Sequence, residues 1–279
     1  MKVSFIGTTM LLFDDGIDQI LVDGYVTRPA ITRTFTTKLS TDKQVADRVL
    51  KDFKMDRVRG IFVSHSHYDH VMDVPYFAVK CNADVYGSQS TLNVARGGGV
   101  KENVIHSFDD SLEYEIGNFK IKVFHSKHSK PTAINNDLGQ TIDYPLHQPT
   151  KMHGYVEGGS FDFLITNKDK SFLVRPSYNY VKGELDGVHA DVLFAGITRM
   201  SKDTPENRTE FFSETIAKVK PKTVIPVHWD SLFSPLYSKP ETMPKISNDT
   251  ATSMSIMVDY CLKHQVNYLV QLPLTTMDY

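Results

Sequence analysis

Apolar positions along this chain come in two rhythms, short runs of four to six residues and longer stripes at helical spacing, and the two alternate from end to end. Val3-Ser4-Phe5-Ile6, Met10-Leu11-Leu12-Phe13 and Gln19-Ile20-Leu21-Val22 read as strands separated by Gly7-Thr8-Thr9 and Asp14-Asp15. The third ends in Asp23-Gly24. A polar stretch from Tyr25 to Ser40 reads as a long loop, with Arg28 and Arg33 as anion contacts or solvated charge. Thr41 and Gln44 have capping-box spacing, and Val45, Ala46, Val49, Leu50 and Phe53 make the apolar stripe of a following helix. Gly60-Ile61-Phe62-Val63 is a buried strand. Ala83 to Gly87 reads as another, Ser88 to Ala95 as a short helix, and Gly97-Gly98-Gly99 as a turn.

The second half repeats the rhythm. Phe119 to Phe124 alternates polar and apolar as a half-buried strand does, and delivers His125 and His128 at its end. Lys130 to Ser160, with three prolines and little periodicity, reads as a loop insertion. Phe161 to Thr166 and Ser171 to Val174 predict a hairpin. Asp191 to Ala195 and Thr223 to Val227 are buried strands, the latter delivering His228, and Thr204-Pro205 opens a helix running to Val219. A helix from Thr250 to Lys263 and a strand from Asn267 to Leu272 close the set. Strands clustered in both halves, each group followed by helices, predict one α/β domain over residues 1–279, with two sheets face to face and helices outside.

Composition narrows the function classes. A chain of 279 residues with 41% hydrophobic content buries a large core, and a formal net charge of −2 with interspersed signs argues against nucleic-acid or anionic-membrane partners. A small neutral or modestly anionic substrate suits it better. The two cysteines, Cys81 and Cys261, are too distant for a C-x-x-C site, so reduced thiols in a cytoplasmic protein are the expectation. The apolar run Val3 to Phe13 is broken by Gly7 and lacks a small-residue cleavage site, and no run of about 18 apolar residues could span a bilayer.

The chemistry concentrates at Ser64-His65-Ser66-His67-Tyr68-Asp69-His70, directly after the Gly60–Val63 strand. Strand alternation sends His65 and His67 to one side, where two imidazoles grip one ion. A turn beyond them brings Asp69 and His70 toward a second position, the paired-metal arrangement that cleaves esters, amides and phosphodiesters.

Together with the strand-end Asp23, His128-Ser129 after a downstream strand, and Val227-His228-Trp229 after a late one, this cluster resembles the metallo-β-lactamase superfamily. The layout is nearest to the short, stand-alone branch of ascorbate-6-phosphate lactonase-like hydrolases. The resemblance implies a four-layer αβ/βα sandwich of two mixed sheets and one or two divalent metal ions, zinc foremost, with manganese or iron as alternatives. It implies His65, His67 and His128 on the first metal and Asp69, His70 and His228 on the second, with Asp69 also orienting the metal-bound hydroxide as the catalytic carboxylate. His125 competes with His128 as ligand and otherwise stands behind the site or touches substrate. Asp23 would buttress the metal loop.

One departure stands out. The family carries a metal-bridging aspartate after the strand that follows the central hairpin, whereas here Phe172-Leu173-Val174 runs into Arg175-Pro176-Ser177-Tyr178-Asn179-Tyr180 with no carboxylate. Two dications repel more strongly without it, which weakens the second site. Ser177 or Asn179 could lend an oxygen instead, or Asp186 could fold back. Arg175, His147, His153 and Tyr155 are the candidate substrate contacts. The resemblance and the chain length, which leaves no room for a nuclease's added domain or basic arm, point to a hydrolase of a small-molecule lactone, ester or phosphodiester. The alternative is a metal-binding sensor or scaffold that lost turnover with the bridging aspartate.

Overall fold

The computed structural model describes residues 1–132, 136–245 and 247–279. Strands β1 (Lys2–Gly7), β2 (Met10–Asp14), β3 (Gln19–Val22), β4 (Val58–Phe62), β5 (Asp84–Gly87) and β6 (Ile105–Ser107) lie side by side in chain order. A second sheet takes β7 (Glu113–Ile116), β8 (Phe119–Ser126), β9 (Ser160–Asn167), β10 (Lys170–Arg175), β11 (Val192–Gly196), β12 (Thr223–Val227) and β13 (Asn267–Tyr268). β14 (Thr275–Asp278) then returns to the first sheet, antiparallel to β1. Hairpins make β1 to β3 and β7 to β10 antiparallel, while β3 to β6 and β10 to β13 run parallel.

Strand alternation sorts the side chains into layers. Val3, Phe5, Leu11, Phe13, Ile20 and Val22 face the second sheet, and Phe13 meets Phe172 and Phe194 edge-on at ring-centroid distances of 5.5 and 6.2 Å. Their neighbours Ile6, Met10, Leu12 and Leu21 point the other way. Helices α1 (Ile31–Thr36), α2 (Lys43–Asp52), α3 (Tyr68–Val71), α4 (Val74–Cys81) and α5 (Gln89–Gly97) follow strands of the first sheet. Ala46, Val49, Phe77 and Leu92 from these helices pack onto that outer face. Helices α6 (Pro205–Glu214), α7 (Ile216–Val219) and α8 (Thr250–Lys263) serve the second sheet through Phe211, Ile216 and Met257. The architecture is the αβ/βα sandwich.

Several expected boundaries move. Asp42, not Thr41, caps α2: its carboxylate accepts from the amides of Gln44 and Val45 at 3.0 and 3.2 Å, while Thr41 bonds outward to Met72. The loop from Tyr25 to Ser40 contains α1. The helix expected from Thr204 to Val219 is broken at Thr215, whose hydroxyl bonds back to the Phe211 carbonyl and bends the chain. The strand expected to reach Leu272 stops at Tyr268, ahead of Gln271, which turns inward to the carbonyls of Val3 and Thr275. The described part of the Lys130–Ser160 insertion packs firmly, with Ile142, Leu146 and Tyr155 buried against the first sheet's helical layer and a bridge joining Leu39 to Thr150.

Candidate metal centre

The parallel strands end along one edge of the sandwich, and at this edge open α/β sheets place their ligands. β4 leaves its ladder after the Val63 amide bonds Tyr86, and the chain passes through His65 before His67, itself extended, opens α3. The tail of the insertion holds this passage: the Ser66 amide donates to the Glu157 carbonyl and its hydroxyl to that of Val156. Gly158, at φ +67°, makes this approach possible, since a Cβ there would lie 2.4 Å from the Ser66 hydroxyl.

Two triads form. Ligand atoms of His65, His67 and His128 lie within 4.8 Å of one another, as do those of Asp69, His70 and His228. The triads abut, with the rings of His65 and His70 3.8 Å apart between centroids. Four of the five histidines have the nitrogen turned away from the triad already engaged. His70 Nδ1 meets Asp23 Oδ2 at 2.7 Å, His65 Nδ1 meets the Ser64 hydroxyl at 3.2 Å, His128 Nδ1 meets the Ser129 carbonyl at 3.0 Å, and His67 Nε2 meets Asp137 at 3.1 Å. His65 Nε2, His70 Nε2 and His228 Nδ1 are buried without a hydrogen bond among the described residues. The bare Nε2 atoms of His65 and His70, each on a ring whose other nitrogen is bonded, are what a divalent cation requires, so these residues fit the metal that the fold implies. His228 is held by its backbone: its amide donates to Thr8 at 2.6 Å, and its carbonyl accepts from Thr198.

Electrostatics prepares the same chemistry. Burial, reinforced by His70, His67, His128 and His228, drives His65 well below the usual imidazole range. Burial and His67 push His128 down to about 3. Both are therefore neutral and free to donate a lone pair at pH 7. Burial alone would raise the Asp69 carboxyl and lower His228. Attraction from His70 and a 3.2 Å contact with His228 Nε2 win instead at Asp69 and hold it below its ordinary value, while that contact with Asp69 and the charge of Asp230 hold His228 above its own.

The remaining candidates separate clearly. Asp23 sits behind His70 and also accepts from Thr9 and from the Ser64 amide and hydroxyl. His125 does not join the site: near the end of β8 it is 58% exposed and pairs with Asp110. Asn179 turns its amide nitrogen to the His128 carbonyl at 2.7 Å, and its oxygen accepts from the Tyr180 amide. Asp186 is exposed and paired with Lys218, away from the triads. Ser177 is buried at the end of β10. Arg175 is no substrate contact but a buried partner of Asp162 at 2.6 Å, and Tyr155 lies in the core. His147 caps the Gly97 carbonyl from the surface, and His153 is exposed. Arg28, read as an anion contact or solvated charge, is buried against Asp230 at 2.6 Å, whereas Arg33 is exposed. Asp137 escaped the sequence reading, since an aspartate in an aperiodic loop carries no local signal of its partner.

Comparison with known proteins agrees with this geometry. A family model described as a beta-lactamase superfamily domain matches residues 19–229. A UPF0173 metal-dependent hydrolase of Staphylococcus carnosus is 24% identical over 250 residues, covering 89% of this chain and 93% of that protein. Ribonuclease J 2 of Streptococcus pyogenes is 30% identical over 89 residues, 30% of this chain. The match spans only 16% of that ribonuclease. Igni18, a metallo hydrolase of Ignicoccus hospitalis, shares the fold at a TM-score of 0.59 and 13% identity, covering 100% of this chain and 98% of its own. The chain belongs to the beta-lactamase superfamily and has the metallo-β-lactamase fold.

Proposed function

We propose that this protein hydrolyses a small-molecule lactone, ester or phosphodiester, with His65, His67 and His128 holding one divalent cation and Asp69, His70 and His228 a second, weaker one. Zinc suits the imidazole-rich first triad best, with manganese or iron as alternatives. The observation that carries the reading is the pair of abutting triads in which four of the five histidines have their outward nitrogen already bonded. A bound cation supplies Lewis acidity and brings the ionisation of water toward neutral pH. The chain's own part is orientation. Asp23 and Asp137 fix the His70 and His67 rings, and Asn179 and Ser129 fix His128. Asp69, kept ionised by its histidine neighbours, orients the attacking water, takes its proton and returns it to the leaving group.

The triads contain a single carboxylate, Asp69, and Pro176 follows the end of β10 where the family places its bridging aspartate. This supports unequal metal affinities, and it also favours a second reading, a metal-binding sensor without turnover. Metal analysis and assays on nitrophenyl esters and bis(nitrophenyl) phosphate distinguish them. The hydrolase reading requires at least one equivalent of metal, turnover that rises with added zinc or manganese, and loss of both in His67→Ala. Metal binding without turnover on any of these substrates would leave the sensor.

A further inference from the structure

Beside the metal centre lies a cleft that none of the roles above uses, lined by Ser129, Lys130, Tyr178, Arg199, Lys202 and Asp203. Its walls are built from the same chain ends that hold the triads. Ser129 follows His128 and accepts from its ring, and Arg199 follows Thr198, whose hydroxyl holds the His228 carbonyl. The cleft therefore opens from the backbone of one ligand of each triad.

Charge in the cleft is unbalanced. Asp203 is the sole carboxylate among the lining residues and it is saturated, accepting from Lys130 at 2.8 Å, Asn207 at 2.9 Å, the Thr204 amide at 3.0 Å and the Tyr178 hydroxyl at 3.3 Å. Lys130 is thereby neutralised. Lys202 stands exposed at the rim, with Asp249 within electrostatic reach. The Arg199 guanidinium, half-buried, has no hydrogen bond or ion pair among the described residues. Its backbone is held in the left-handed region at φ +74° by the fully buried Asn248, whose side chain accepts the Arg199 amide at 2.9 Å. A non-glycine residue costs about 1 kcal/mol or more in that conformation, so the fold maintains a strained backbone that directs an unpaired cation to the cleft.

We infer that this cleft binds an anionic group of the substrate, a phosphate or a carboxylate, with Arg199 as its principal contact. The inference rests on the hydrolase reading for the word substrate, but the anion site itself does not. A guanidinium fork matches either oxyanion. The molecule cleaved at the triads would then carry a negative charge away from the scissile bond.

Binding is measured first on the full chain freed of metal, by calorimetric titration with inorganic phosphate and with acetate, so that no cation can hold the anion. Saturable binding of one or both is expected, weakened at least tenfold in Arg199→Gln, with the stronger anion naming the group. Absence of binding to the parent protein, or affinities in Arg199→Gln within twofold of it, overturns the proposal. The zinc-loaded protein is then assayed on nitrophenyl hemisuccinate, which carries a carboxylate, and neutral nitrophenyl butyrate. The ratio of their KM values should shift by tenfold toward the neutral ester in Arg199→Gln, and an unchanged ratio overturns the substrate assignment. If the anion binds as expected while neither ester is cleaved, the anion site stands and the hydrolase reading falls.

Discussion

Replacing Asp23 by Asn tests how the second triad is prepared. The Asp23 carboxylate is fully buried. One oxygen accepts from the Ser64 amide at 2.7 Å, and the other from Thr9 at 2.5 Å, the Ser64 hydroxyl at 3.0 Å and His70 Nδ1 at 2.7 Å. An asparagine keeps the volume but has only one oxygen, which the Ser64 amide, able only to donate, will claim. The new NH2 group then faces His70 Nδ1 and forces it to accept, moving the ring proton to Nε2. That is the nitrogen a metal needs bare. Loss of such supporting bonds weakens metal binding by about 10- to 100-fold, or roughly 1.4 to 2.7 kcal/mol. Titration of the metal-free protein with zinc against a chromogenic chelator should resolve two steps, with the weaker one displaced by that factor and the tighter one within about threefold of the parent. Nitrogen NMR of the metal-free variant should show the His70 proton on Nε2. Equal weakening of both steps, or an unmoved tautomer, would refute the reasoning.

Other perturbations follow from the same contacts. Asp137→Asn should produce the mirror image of the Asp23 variant in that titration, weakening the tighter step about tenfold, because Asp137 supports His67. Arg28→Met should lower unfolding free energy in urea by about 3 to 5 kcal/mol, since it strands the buried Asp230 carboxylate, and Asp230→Asn in the same chain should recover part of the loss. Burial tends to raise Asp15, but bonds from Asn118, Asn167 and the amides of Asp18 and Ile17 hold it at about 2, below its ordinary 3.8. A depressed folded-state value means that the stabilisation is complete above pH 3.8 and is lost as pH falls toward 2. Because the group is partly solvated, the loss should be about 1 kcal/mol, seen in acid melts of the parent and missing in Asp15→Asn.

The core was legible because its signal is local. Strands buried on both faces must be apolar at nearly every position, as β2 and β12 are, whatever lies across from them. Edge strands have no such signature. β7 reads Glu-Tyr-Glu-Ile and β14 Thr-Thr-Met-Asp, both largely exposed, and each exists because a ladder partner supplies the hydrogen bonds. The histidine cluster was legible for a similar reason, since four metal-capable side chains within six residues need no distant partner to declare themselves. The choice between His125 and His128 was not local. The buried–exposed alternation of β8 breaks at the buried Phe124 and leaves His125 exposed beside Asp110, whereas His128, past the strand end, meets the rings of His65 and His67 at centroid distances of 4.9 and 4.6 Å.

The isolated charges mark the boundary. Arg28 and Arg175 look alike in sequence to any surface or ligand-binding arginine, yet each is buried beside a carboxylate, 202 and 13 residues away respectively. Arg199, with no such neighbour among the described residues, faces a cleft. Local spacing was enough to specify the fold class, the two-sheet core and the cluster from His65 to His70. Assigning partners to each charge, choosing the third histidine, recruiting Asp137 and leaving Arg199 unpaired were decided by tertiary contact alone, because the free energy of a charge is set by what surrounds it in space and not by its neighbours along the chain.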